Sequence, residues 1–289
     1  MPGVRIVTDS TCDLPLELVR EYNITVIPEF VHIGNETFLD RVELSADEFH
    51  RRLASWSPNS LVLNSNHPPT EVFEEVYKRI LKEGENIISI HHSAKLGGTF
   101  QAAVTARNNI LAPTSQIAVI DSLSASFGLG IIALEAAKRA RQGLHHSELV
   151  SIVNRMIFQT HVIFFTETMH YLQHSGRINS KAQAALGPTP ATNFRPLLRL
   201  EDGLIVPFER TRTRTKAIEG LCEFVEDFPH IEEMAIMYST SPNDVETLLN
   251  RIAPIFPRER VFVGLFSPAL AVHLGPGSMG VTVYEGGVF

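Results

Sequence analysis

Tryptophan occurs once and cysteine twice in this 289-residue chain, and no window approaches the ~18 uncharged apolar residues of a membrane span. Each shortage excludes something. Cys12 and Cys222 lie far apart, which rules out a disulfide framework or zinc-knuckle spacing. Positive charge is also short. Against 32 Asp and Glu stand 25 Lys and Arg, and the net charge of -7 is too acidic for a chain-wide nucleic-acid footprint. Met1-Pro2-Gly3-Val4-Arg5 leads directly into a strand-like run, without an apolar stretch of signal-peptide length. With so few cysteines, this gives the expectation of a cytoplasmic protein. What is plentiful is apolar: 44% of residues are hydrophobic, and 17 Phe stand beside five Tyr. Such an aromatic supply has few polar handles and suits an apolar interior. At ~150 residues per domain, the length suggests about two domains.

The first half alternates short apolar runs with helical periodicity. Strand-like runs are Val4 to Thr8, Ile24 to Phe30, Leu61 to Leu63, Asn86 to Ile90 and Gln116 to Ile120. Helices are expected over Leu14 to Tyr22 with Asp13 as N-cap, from Ser45 onward, and over Thr70 to Lys82, Thr99 to Leu111 and Ser126 to Arg141. Gly34 to Arg41 reads as turn. Apolar strands of four or five residues between helices indicate a parallel sheet covered on both faces. The second half is mixed, with strands at His161 to Phe165, Leu204 to Glu209, Met234 to Ser239, Val261 to Leu265 and Val281 to Glu285. Helices are expected near Glu167 to Gln173, Lys181 to Leu186, Arg214 to Glu226 and Pro242 to Ile252. The fold class is therefore α/β: a three-layer, parallel-sheet N-terminal domain over 1–160, with a small inserted subdomain about 32–60, and a mixed α+β domain over 161–289.

Four candidate parallel strands end in hydroxyl or acid residues: Thr8-Asp9-Ser10, Asn64-Ser65, Ser93 and Asp121-Ser122. In open α/β sheets the ligand crevice lies beyond such ends, where helix N-termini also offer free N–H groups. Gly97 and Gly98, just before the helix starting at Thr99, would let backbone approach a ligand closely. The combination reads as an anion site of hydroxyls and amides; the plainer reading is that these residues only cap helices. His273, before Gly275-Pro276-Gly277, and Arg177, after Gly176, suit the same site.

Other motifs fail. Gly275 to Gly280 matches G-x-G-x-x-G but has no room for the following βαβ unit. Gly128 and Gly130 lie inside an expected helix, where close packing explains them. His91-His92 and His145-His146 are adjacent rather than four apart, so they would not share a helix face as metal ligands. No metal and no cofactor are expected. The basic run Arg210 to Lys216 reads as a solvated strand edge entering a capped helix, and a nucleic-acid role for it conflicts with the net charge.

Taken in order, several segments resemble the DegV family of bacterial fatty acid-binding proteins across essentially the whole chain. They are Ile6-Val7-Thr8-Asp9-Ser10 with Asp13-Leu14-Pro15, Ile27-Pro28, the stretch Ser93 to Ala103, Val119 to Ser122, Tyr171-Leu172 with Gly176-Arg177-Ile178, and His273 to Gly277. The chain departs from the family pattern at Ser65-Asn66-His67-Pro68-Pro69, and where Ala94 and Gly97 stand in place of serines. The resemblance implies a fatty acid such as palmitate or oleate buried between two domains, its carboxylate at the strand ends. It implies Ser65 and Ser93 at the carboxylate, His273 near it and Arg177 at the mouth or on a partner surface. Asn66, Gly97, Gly98 and Thr99 complete the candidate ligand set. It further implies a non-catalytic monomeric carrier that presents the acid to a separate fatty acid kinase for acyl phosphate formation. The competing reading is a hydrolase or acyl transferase with Ser65 or Ser93 as nucleophile and His273 as base.

Overall fold

The computed structural model describes residues 2–56, 62–111, 113, 116–178 and 194–287. Its centre of organisation is a four-stranded parallel sheet in the order β2-β1-β6-β7, with β1 Val4–Asp9, β2 Thr25–Ile27, β6 Asn86–His91 and β7 Ile117–Asp121. β6 buries five of its six residues, as a strand covered on both faces must. Helices α1 (Leu16–Glu21), α3 (Thr70–Lys82), α4 (Thr99–Asn109) and α5 (Phe127–Arg141) connect or flank these strands.

A small antiparallel sheet interrupts this alternation, in the order β4-β3-β5, with β3 Phe30–Ile33, β4 Glu36–Leu39 and β5 Leu63–Asn66. Helix α2 (Ala46–Leu53) lies between β4 and β5, and the Ser45 hydroxyl caps it by accepting the Glu48 amide at 3.2 Å. Two expectations change here. The run Ile24 to Phe30 is not one strand: Pro28 breaks it, and β2 and β3 belong to different sheets. Gly34 to Arg41 is not all turn. Gly34, at φ 59°, turns the chain, and β4 follows.

The segment Asn64-Ser65 is consequently not the end of a parallel strand. It lies inside β5, which pairs antiparallel with β3, Ser65 opposite Val31. Asp13 is not the cap of α1 either. That helix starts at Leu16 after Pro15, and Asp13 sits at φ 55° with its side chain turned toward other elements.

The second large sheet is six-stranded and mixed, in the order β10-β9-β8-β13-β11-β12. Its strands are β8 Thr160–Phe165, β9 Arg195–Glu201, β10 Leu204–Thr211, β11 Glu233–Tyr238, β12 Val261–Leu265 and β13 Met279–Tyr284. Helices α6 (His146–Ile157), α7 (His170–His174), α8 (Arg214–Glu226), α9 (Pro242–Ile252) and α10 (Pro268–Leu274) accompany it. α6, β9 and α10 are absent from the sequence reading. The helix expected over Lys181 to Leu186 lies outside the described residues. The basic run straddles the end of edge strand β10 and the start of α8, where the Thr213 hydroxyl accepts the Lys216 amide.

One continuous apolar core joins the two large sheets, holding Ile6, Ile88 and Ile90 together with Phe164, Leu198, Ala235 and Met237. Helix α5 lies within it. A Cβ on its Gly130 would come within 2.2 Å of the Cys12 carbonyl oxygen, so both helix glycines serve packing, Gly128 against Ser124. No described helix is long and apolar enough to cross a membrane.

Candidate functional site

Between the two large sheets lies a cavity with about 790 Å³ of empty space, part of it open to solvent. Its wall is almost wholly apolar. The inner face of the six-stranded sheet supplies Val162, Phe164, Leu200, Ile205, Met237 and Gly280, and the chain through α10 supplies Phe266, Leu270 and Leu274. Polar groups gather where the small sheet, the loop after β6 and α10 meet: Thr11, Glu29, Ser65, His92, Arg177 and His273.

Strand alternation decides which residues of β5 face this cavity. Ser65 is buried and its neighbours Asn64 and Asn66 are exposed. Ser65 Oγ lies 2.7 Å from His273 Nε2, a contact that ties β5 to α10. Burial, with the Arg177 and His92 charges nearby, pulls the His273 pKa down to about 3, so the ring is neutral at pH 7. His273 Nδ1 has no hydrogen-bond partner among the described residues. A neutral imidazole there acts as a hydrogen-bonding group and not as a cation.

Arg177 supplies the positive charge. Burial lowers its pKa and the Glu29 charge raises it. None of the hydrogen bonds or ion pairs among the described residues engages its guanidinium, so the fork is available to an anion. Gly97 makes the space for it. A Cβ at 97 would stand 2.5 Å from His92 Nε2 and 3.0 Å from Arg177 Nη1. Glycine at position 97 therefore admits the His92 ring beside the guanidinium.

Asp9, Glu29 and His92, all buried, each bring one potential metal-ligand atom within 4.8 Å of the others. The adjacent histidines both reach Asp9, because the strand ends at His91 and the chain turns. His91 Nδ1–H donates to Asp9 Oδ2 at 3.0 Å, the His92 amide donates to the same oxygen at 3.1 Å, and Thr11 donates its amide and hydroxyl to Oδ1. Behind His91 the Tyr77 hydroxyl donates to Ser89 Oγ, which bonds His91 Nε2. Burial would raise the Asp9 carboxyl, but the two imidazoles outweigh it and hold the group well below the usual carboxylate range. Four donors already fill the Asp9 oxygens, which disfavours a metal ion and favours a fixed anion. Glu29 differs: burial dominates and lifts it to about 7, while among the described residues its Oε1 accepts only the Thr99 hydroxyl. His92 responds oppositely; burial lowers its pKa, but Asp9 and Glu29 together raise it.

Of the residues nominated from sequence, Ser65, Arg177 and His273 meet at the cavity, with Gly97 behind them and Thr99 bonded to Glu29. Three lie elsewhere. Asn66 points away and its amide meets His32 Nε2 at 3.0 Å, because alternation sends it to the opposite face from Ser65. Gly98 packs against the His67 ring, 2.3 Å from where its Cβ would stand. Ser93, expected at the carboxylate, donates its hydroxyl at 2.7 Å to the Gly203 carbonyl in the β9–β10 turn. Glu29, His92 and Thr11 escaped the sequence reading. Their only signal was proximity to the polar strand ends, and a glutamate after Ile27-Pro28 looks solvent-bound until the fold closes over it.

Comparison with known proteins agrees with this architecture. A DegV domain-containing protein of Streptomyces coelicolor is 33% identical over 284 residues, covering 97% of this chain and 98% of the relative. A DegV family protein from Thermus thermophilus, described for its fatty acid binding, superimposes with a TM-score of 0.86 at 28% identity, covering 98% of this chain and 99% of that one. DegV of Bacillus subtilis, described as a fatty acid binding protein, gives 0.85 at 25% identity, covering 99% of this chain and 100% of that one. The family model described as "Uncharacterised protein, DegV family" matches residues 3–286, and the chain belongs to that family.

Proposed function

We propose that this protein is a non-catalytic carrier that binds a long-chain fatty acid in the inter-sheet cavity and presents it to a fatty acid kinase for acyl phosphate formation. One observation carries the reading: a cavity with a mostly apolar wall on which Ser65, His273 and Arg177 converge, the guanidinium having no hydrogen-bond or ion-pair partner among the described residues. The description of the Thermus thermophilus relative as fatty acid-binding supports it. Each buried methylene contributes about 0.8 kcal/mol, so a ~16-carbon chain gains on the order of 10 kcal/mol before ordering costs. The headgroup then needs only charge-assisted bonds from Arg177 and a hydroxyl from Ser65. With His273 Nε2–H directed at Ser65 Oγ, the Ser65 hydroxyl is free to donate to the ligand carboxylate. On this reading residues 1–160 and 161–289 act as two units closing over the acid in a cytoplasmic monomer. The kinase partner follows from family resemblance, and the lack of any nucleotide-binding motif fits a division of labour.

Organic extracts of the purified protein, analysed by mass spectrometry, should contain a fatty acid. The delipidated chain should take up oleate or palmitate, and one that takes up neither sinks the proposal.

The 2.7 Å Ser65–His273 contact also favours a second reading, a hydrolase with Ser65 as nucleophile. Two facts weigh against it. A base with a pKa near 3 holds an abstracted proton poorly, and no carboxylate among the described residues orients His273 Nδ1. Turnover of acyl esters that vanishes in Ser65→Ala would reverse this judgement.

A further inference from the structure

We infer that Glu29 is a headgroup-selecting residue: it takes up the proton that lets a ligand carboxylate occupy the polar end of the cavity, so that capture of a carboxylate is coupled to one proton. The inference rests on the fatty acid reading and adds to it a residue and a linkage.

Glu29 is 2% exposed and lines the cavity. Its position is fixed on both sides. Its amide donates to Ser10 Oγ at 3.0 Å and its carbonyl accepts the Asp40 amide at 2.9 Å. The charged and titratable groups facing it come from every surrounding element: Asp9 at the end of β1, His92 after β6, Arg177 after α7 and His273 in α10. His92 Nδ1 stands 3.8 Å from Glu29 Oε1 and 3.5 Å from Asp9 Oδ1.

Without ligand, the Arg177 cation and His92, whose pKa Asp9 and Glu29 raise, face the Asp9 anion and Glu29. A bound carboxylate adds a third anion to a water-poor end. Closely spaced buried carboxylates cannot all stay ionised, and one must carry a proton. The hydrogen bonds decide which. Asp9 accepts four donors and stays ionised. The ligand would take Arg177 and Ser65. Glu29, with the Thr99 hydroxyl alone, is the poorest in donors. It therefore binds the proton and can donate it in a hydrogen bond to the incoming carboxylate. The empty-site pKa of Glu29, already near 7, makes this exchange easy at neutral pH.

The test is calorimetry on delipidated full-length protein with submicellar dodecanoate, ionised throughout, and with dodecanol as the neutral control, from about pH 6 to about pH 8.5. Titration in buffers of different ionisation enthalpy reads proton uptake directly and needs no variant. Uptake should be small at the acid end and approach one proton per dodecanoate at the alkaline end. Affinity should fall up to about tenfold per pH unit above neutrality, while dodecanol affinity stays flat. Glu29→Gln should abolish both the uptake and the fall, and at the alkaline end should bind dodecanoate at least about tenfold more tightly than wild type. Dodecanoate binding that is pH-flat with no proton uptake overturns the inference and leaves the carrier reading standing. An unchanged pH profile in Glu29→Gln assigns the proton to His92 and also overturns it. Failure to bind either probe at any pH overturns both proposals.

Discussion

Among single residues, Arg177 and Ser65 carry different parts of the headgroup's binding. A hydrogen bond to a charged group is worth about 1.5–3 kcal/mol, so Arg177→Gln should weaken dodecanoate binding roughly 10- to 100-fold. Dodecanol, which offers no charge, should lose little, and a titration of both ligands separates the two. An equal loss for both would mean that Arg177 only holds the wall together. Ser65 and Ser93 show how far residue type alone could lead. Both hydroxyls were visible in the sequence at polar strand ends. Only Ser65 reaches the cavity, because alternation along β5 buries it, whereas Ser93 is spent on the Gly203 carbonyl. Glu29 and His92 were not legible as a pair. They lie 63 positions apart, and nothing in their local sequence reveals that Gly97 leaves room for the His92 ring beside Arg177.

At the level of elements, α10 sets the site, since it carries His273, Leu270 and Leu274 into the cavity. Two buried acids hold its start. Asp13 Oδ1 accepts the Ser267 amide at 2.9 Å, and Asp40 Oδ1 accepts the Ala269 amide at 3.2 Å. His50 Nε2–H adds a bond to the Phe266 carbonyl. Burial lifts the Asp13 carboxyl to about 6 and the Asp40 carboxyl to about 8. For Asp40 the folded value lies above the ordinary 3.8, so the folded state binds the proton more tightly. That contribution is complete below the ordinary value and is lost as pH rises through about 8. Asp40→Asn keeps the acceptor oxygen and removes the titration. Urea unfolding at several pH values should show wild type losing up to about 1.4 kcal/mol per pH unit relative to the variant across this window. Parallel pH profiles for the two would show that Asp40 stays ionised in the fold. Sequence periodicity does not reveal α10, because seven residues give no helical period and Pro268 with Gly275 reads as turn.

For the whole molecule, the contacts that matter join the two large sheets. The Ser93 hydroxyl bond to Gly203 is one, and the Lys95 ammonium reaches the neighbouring Asp202 carbonyl at 2.6 Å. Ser93→Ala leaves the Gly203 carbonyl without its buried donor and should cost about 1–3 kcal/mol of unfolding free energy. Dodecanoate affinity should change less than in Ser65→Ala; the reverse order would return Ser93 to the headgroup. The aromatic supply takes a clearer meaning at this scale too. Phe164 and Phe266 line the cavity, while Phe49, Phe73 and Phe165 fill ordinary core. The sequence by itself determined the parallel βα alternation, the apolar interior and the family, because strand and helix periodicity and ordered motifs are local properties of the chain. Tertiary structure alone decided that Pro28 sends one apolar run into two sheets, that Ser65 faces inward from an antiparallel strand, and that Glu29, His92 and Arg177 share one buried end. Those facts depend on strand pairing and on close approach between distant segments, which no local window contains.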